Sequence, residues 1–201
     1  MIQDSNGRGY AIVGIGSSAG GPHTLEKIFA GLPSDLPAAL FLSQHMPRGF
    51  TTALAERLSS VSNWPVTEAY HGCMAKAGEA FIAPGGHNIE ILRGGVVKVK
   101  RVPRAATPTP SINVMMKSIA RACGVRSVGV LLTGMLHDGV EGMKAIKDRG
   151  GVTIAQDEES SLIYGMPKAA LDAGVVDIVA NTLDMPARIA SAVEMVLTRQ
   201  S

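Results

Sequence analysis

Short apolar runs recur along the chain: Tyr10 to Ile15 ("YAIVGI"), Ala38 to Ser43 ("AALFLS"), Glu79 to Pro84 ("EAFIAP"), Ser127 to Gly134 ("SVGVLLTG"), Gly151 to Gln156 ("GVTIAQ") and Gly174 to Ala180 ("GVVDIVA"). Most are bounded by Gly, Pro or polar clusters, as strands buried on both faces are. Between most of them the spacing predicts helices over Pro22 to Ala30, Thr51 to Ser60, Ile112 to Cys123 with Gly124 as C-cap, Val140 to Asp148, Pro167 to Ala173 and Met185 to Thr198. Strands alternating with helices imply a doubly wound α/β fold, a mostly parallel sheet with helices on both faces. One passage departs from that rhythm. "HNIEILRGGVVKVKRV" alternates with period two around Gly94 and Gly95, which predicts an inserted antiparallel β-hairpin. The Pro- and Thr-rich "PRAATPTPS" after it reads as an extended connection ending at Ser111, an N-cap for the next helix.

Nothing in composition splits the chain. Its 201 residues, 46% hydrophobic, suffice for one core, so residues 1–201 read as a single domain with residues 1–9 as a flexible N-terminal tail. A net charge of +2 argues against nucleic-acid binding, and Lys98, Lys100, Arg101 and Arg104 form the only candidate basic patch, read first as a solvated face. Two cysteines, Cys73 and Cys123, make no disulfide framework. With no leader peptide and no apolar run approaching a membrane span, the expectation is a cytoplasmic protein without membrane insertion.

Chemistry is sought where strands run out, since open α/β sheets bind ligands at their carboxyl edge. The stretch "AIVGIGSSAGGPHTL" admits two readings. Gly14, Gly16 and Ala19 fit the dinucleotide pattern G-x-G-x-x-G/A, whereas Gly16 to Gly20 fits G-x-S-x-G, which presents a serine on a strand-to-helix turn. A dinucleotide site wants a carboxylate at the end of the second strand, where this chain has Gln44 and His45. A serine nucleophile instead wants an imidazole, and the imidazole an acid. Ser18, His45 and Asp138 lie at three different strand ends, but the order Ser, His, Asp is not that of α/β-hydrolases, and spacing alone does not decide.

The motifs "IGSSAGG", "QHMPRGF", "AERL", "FIAPGGHN", "TPS", "GVLLTGMLHDGVEGM" and "TIAQDEESSLIYGMP", in this order, resemble the catalytic domain of CheB, the chemotaxis receptor protein-glutamate methylesterases. The resemblance implies a serine hydrolase with Ser18, His45 and Asp138 as the triad and the Met135 main chain as an oxyanion donor, with Ala19 and Gly134 beside it at the oxyanion and substrate site. It further implies hydrolysis of glutamate γ-methyl esters, and deamidation of certain glutamines, on the cytoplasmic helical domain of a methyl-accepting chemotaxis receptor, without metal or organic cofactor.

Three departures qualify it. Only "MIQDSNGRG" precedes the first strand, so no receiver domain is expected, and a separate regulatory protein is a candidate partner. Ala19 stands where the family often has threonine, and P-S-x-D becomes Pro110 to Asn113, removing a charge near the site. The alternatives are a catalytically silent receptor-binding adaptor and the dinucleotide-dependent oxidoreductase.

Other side chains read more plainly. Ser17 is expected as a turn residue, His23 as a solvated helix-start residue, and His71 with Cys73 as a loop pair lacking further zinc ligands. His87 reads equally as a cleft or a hairpin-turn residue, His137 as a second candidate base, and Asp157 as a structural carboxylate. The ten methionines fill core gaps. Arg48, Lys98, Lys100 and Arg104 are candidates for steering acidic receptor helices toward the cleft.

Overall fold

A computed structural model describes residues 9–103 and 108–199. In chain order the elements are β1 (Ala11–Ser17), α1 (Gly21–Gly31), β2 (Ala38–Gln44), α2 (Thr51–Val61), β3 (Val66–Glu68), β4 (Ala80–Ile82), β5 (His87–Ile91), β6 (Val97–Arg101), α3 (Ile112–Cys123), β7 (Ser127–Leu131), α4 (Val140–Lys147), β8 (Val152–Gln156), α5 (Met166–Asp172), β9 (Ile178–Ala180) and α6 (Met185–Thr198). Seven strands form one sheet in the order β3-β4-β2-β1-β7-β8-β9, every neighbouring pair parallel. β5 and β6 pair antiparallel as the expected hairpin, with His87 opposite Arg101 and Ile91 opposite Val97. Residues 1–8, most of the expected tail, and residues 104–107 of the Pro-rich connection lie outside the described residues.

The side-chain alternation of β1 divides the core in two. Val13 and Ile15 point into a layer with Leu25, Ile28 and Phe29 of α1 and Ile189 and Val193 of α6. Ile12 points the other way, into a layer with Met115, Met116 and Ile119 of α3 and Met143 of α4. Three of the methionines are therefore core filler, as expected. On that second face Gly14 and Gly16 leave room for α3. A Cβ at Gly16 would lie 2.3 Å from Ile112 Cγ2, and one at Gly14 would lie 2.7 Å from Ile119 Cδ1. The glycine spacing that suggested a dinucleotide fingerprint is a helix-packing device, which is the physical reason that reading falls.

The strand order also fixes where a site can form. The chain moves outward from β1 to β2 on one side, then returns to β7 on the other. β1 thus lies at the reversal, and the crevice beyond its carboxyl end is bordered by the loops after β2 and β7.

Some boundaries shift. β1 runs two residues further than expected and takes in Ser17, which ends the strand fully buried instead of forming a turn. The "GVVDIVA" run supplies only Ile178–Ala180, because Asp177 turns its carboxylate onto the Thr153 N–H at 2.9 Å. The edge strand β3, three residues long, carries too short an alternation to be read in advance. α3 and α6 match their predicted bounds, and Ser111 caps α3 by accepting from the Val114 N–H.

Candidate active site

The loop after β1 carries Ser18. Its N–H is donated to Thr133 O at 2.9 Å and its carbonyl accepts from the Gly21 N–H at 2.9 Å, so the turn is bonded both to the end of β7 and to the start of α1. Close approach is built in by glycine: a Cβ at Gly134 would lie 2.6 Å from Ser18 Cβ, and one at Gly21 would lie 2.0 Å from Gln44 Oε1. Gln44, the last residue of β2, staples two strand ends together. It accepts the Ser17 hydroxyl at 2.7 Å and donates its amide to Ser18 O at 2.9 Å and to His45 O at 3.0 Å. Ser17 therefore has its hydroxyl engaged, whereas the Ser18 hydroxyl has no hydrogen bond among the described residues.

His45 follows directly, with its N–H on Ser17 O at 3.0 Å. Its ring Nε2 lies 2.9 Å from Asp138 Oδ2, with side-chain exposures of 13% and 6% for the two. The carboxylate is held from several directions. Oδ2 also accepts the Ile112 N–H at 2.8 Å, and Oδ1 accepts the Asn113 N–H at 3.1 Å and the Ser111 hydroxyl at 3.3 Å. Asp138 therefore sits on the amino end of α3, where unpaired N–H groups and the helix dipole favour an anion. Burial pushes its carboxyl up, but the bonds from His45, Ile112 and Asn113 outweigh that and leave it below the usual range. An ionised Asp138 can only accept, so Nε2 carries the proton and Nδ1 is left bare as a base.

Ser18 and His45 line one cleft of about 590 Å³ together with Ala19 and Gln44. Their mutual hydrogen bond is not formed, a common state of such pairs before substrate tightens them. Of the expected oxyanion residues, Ala19 and Met135 have backbone N–H groups without an acceptor among the described residues. Gly134 does not: its N–H is donated to Ile163 O at 2.9 Å, so its part is to let Ser18 come close. Met135 is 59% exposed and the next residue, Leu136, takes a left-handed φ of 68°. A non-glycine residue in that region is strained, and such strain gathers at functional loops.

The remaining candidates separate. His87 opens β5 and bonds Gly85 O through Nδ1 at 3.1 Å, a hairpin role. Asp157 accepts the Ser160 N–H at 3.0 Å, the structural carboxylate expected. His23, His71 and His137 are exposed, and Cys73 is buried. No group of three or more His, Cys, Asp or Glu side chains able to hold a metal occurs among the described residues. No helix among them is long and apolar enough to cross a membrane. Arg104 lies outside the described residues.

Sequence reasoning passed over several supporting groups: Gln44 as a staple, the N–H groups of Ile112 and Asn113, and Asn88, whose Oδ1 accepts the Ser111 N–H at 2.8 Å. Asn113, expected to cap or bond without the charge of an aspartate, accepts the Gly142 N–H at 2.8 Å and so joins α3 to α4.

Comparisons with known proteins place the chain in a family. The chain is 46% identical over 187 residues to a protein-glutamate methylesterase/protein-glutamine glutaminase of Pyrococcus abyssi, covering 92% of this chain and 51% of that protein. It is 45% identical over 184 residues to the protein of the same name from Lawsonia intracellularis, covering 90% and 52%. The chain thus spans about half the length of the curated relatives it matches. It superimposes on the crystal structure of the Thermotoga maritima CheB methylesterase catalytic domain with a TM-score of 0.86 at 35% identity, covering 91% of this chain and 98% of that one. With the model of the CheB methylesterase family matching residues 13–189, the chain belongs to that family.

Proposed function

We propose that this chain is a serine hydrolase that removes methyl groups from glutamate γ-methyl esters on the cytoplasmic helices of a chemoreceptor, releasing methanol, and that it deamidates glutamine side chains by the same route. The observation that carries the reading is the 2.9 Å bond between His45 Nε2 and an ionised Asp138, with His45 and Ser18 lining one cleft. The relatives' names, protein-glutamate methylesterase/protein-glutamine glutaminase, support the choice of substrate.

The chemistry follows from the groups present. His45 Nδ1 takes the Ser18 proton as Oγ attacks the γ-carbonyl carbon, and Asp138 stabilises the imidazolium that forms. The oxyanion is received by the N–H groups of Ala19 and Met135. His45 then protonates the departing methoxide, or ammonia from a glutamine. A water molecule, deprotonated by the same Nδ1, cleaves the acyl-enzyme to free glutamate and restore Ser18.

The test is methanol release from a receptor cytoplasmic fragment carrying methyl esters. Release by the unaltered chain and its loss in Ser18→Ala is the expected result. Equal release from both would remove Ser18 as nucleophile. Binding of the fragment without release from either would turn the reading to the adaptor.

A further inference from the structure

Beside the Ser18 cleft lies a second groove of about 1000 Å³, and the two share His45, Met46 and Pro47 as a common wall. Its charged lining is Arg48 and Arg101, with no carboxylate among the lining residues. On the described surface some cations are ion-paired, Lys100 with Glu90, Arg57 with Glu26, Lys147 with Asp177 and Lys168 with Asp172, and others such as Arg93, Arg149 and Arg188 are not; what distinguishes Arg48 and Arg101 is their place on the wall of this groove. Arg48 and Arg101 have no carboxylate partner among the described residues. Arg48 is nonetheless placed. Its side chain lies over Gly86, where a Cβ would come within 2.4 Å of Nε, and its guanidinium donates to Gly86 O at 3.3 Å.

Two unpaired guanidinium groups bordering a groove that opens onto the catalytic histidine are suited to carboxylates, which accept the planar fork of arginine. We infer that Arg48 and Arg101 form a specificity subsite that takes acidic side chains flanking the ester on the substrate segment, an inference that rests on the esterase reading for its location but not for its test. This narrows the basic patch suggested by sequence. Of the cations named there, Lys100 is neutralised by Glu90 at 2.7 Å, whereas Arg48 and Arg101 line the groove.

The experiment uses two synthetic peptides, each with one glutamate γ-methyl ester, differing only in glutamate or glutamine at the flanking positions. Methanol release gives kcat/KM, and fluorescence anisotropy with Ser18→Ala protein gives affinity. At low salt the acidic peptide is favoured about five- to tenfold in both, as two exposed charge pairs allow, and the preference fades as salt rises. Arg48→Gln with Arg101→Gln brings the ratio to within about twofold, whereas Arg48→Lys with Arg101→Lys, which keeps the charge and loses the fork, falls between the two. Equal affinity for the two peptides, or a preference that survives the double glutamine variant, overturns the subsite. A preference in binding that the double variant abolishes, with no methanol from either peptide, supports the subsite and overturns the esterase instead.

Discussion

His45 Nε2 donates to Asp138 Oδ2 at 2.9 Å, and that oxygen simultaneously accepts the Ile112 N–H. The acid is thus fixed by a helix terminus before it orients the imidazole, and Asp138→Asn disturbs both. The amide cannot hold Nε2 protonated as a carboxylate does, so Nδ1 loses its role as base. A fall in kcat of about 10³- to 10⁴-fold with little change in KM is expected, read as methanol release under saturating substrate.

The same carboxylate makes stability depend on pH. Its folded pKa lies below the unfolded one. Its stabilisation is therefore fully present above the unfolded carboxylate range and is lost as pH falls through the folded value. Urea midpoints of the unaltered chain and Asp138→Asn differ at neutral pH and converge in acid. A gap that stays constant down to the acid limit would contradict the assigned ionisation.

Gly16→Ala separates packing from nucleotide binding. The added methyl would meet Ile112 Cγ2 at 2.3 Å. Overpacking of this kind costs about 1–3 kcal/mol, measurable by urea unfolding, and because Ile112 also holds Asp138, activity drops with stability. NAD added to the unaltered chain leaves the melting temperature where it was.

At Met135 the backbone carries the proposed role, and the side chain is largely exposed. Met135→Ala keeps kcat within about threefold, whereas Met135→Pro, which deletes the N–H, costs about 100-fold or more. Comparable losses in both would move the oxyanion donor elsewhere.

Neither thiol competes with Ser18. Burial pushes the Cys123 thiol up to about 12 and raises Cys73 as well. Native protein at pH 8 therefore stays largely unlabelled by a disulfide exchange reagent, and both thiols react once urea unfolds it.

Much of this is written in strand ends. Ser18, His45 and Asp138 each stand where an apolar run stops, and a parallel sheet brings such positions to one edge whatever their separation in sequence. The glycines of the first strand were ambiguous because close helix packing and pyrophosphate binding both ask for a missing side chain. The partners of Asp138 stayed hidden for a different reason. Ser111, Ile112 and Asn113 act mainly through a helix terminus docked against a loop 25 to 27 residues away, and a backbone N–H has no signature in residue type. The Gly134 N–H, bonded to Ile163, is the same limit seen from the other side.

Because β1 sits at the reversal of the sheet, the proposed base and acid come from opposite flanks: His45 from the part of the chain before the hairpin, Asp138 from the part after it. Neither flank alone holds a complete relay. On the proposed mechanism, cutting the chain between β6 and α3 yields two inert pieces, and turnover regained on mixing them would report fragment complementation across the β1–β7 seam.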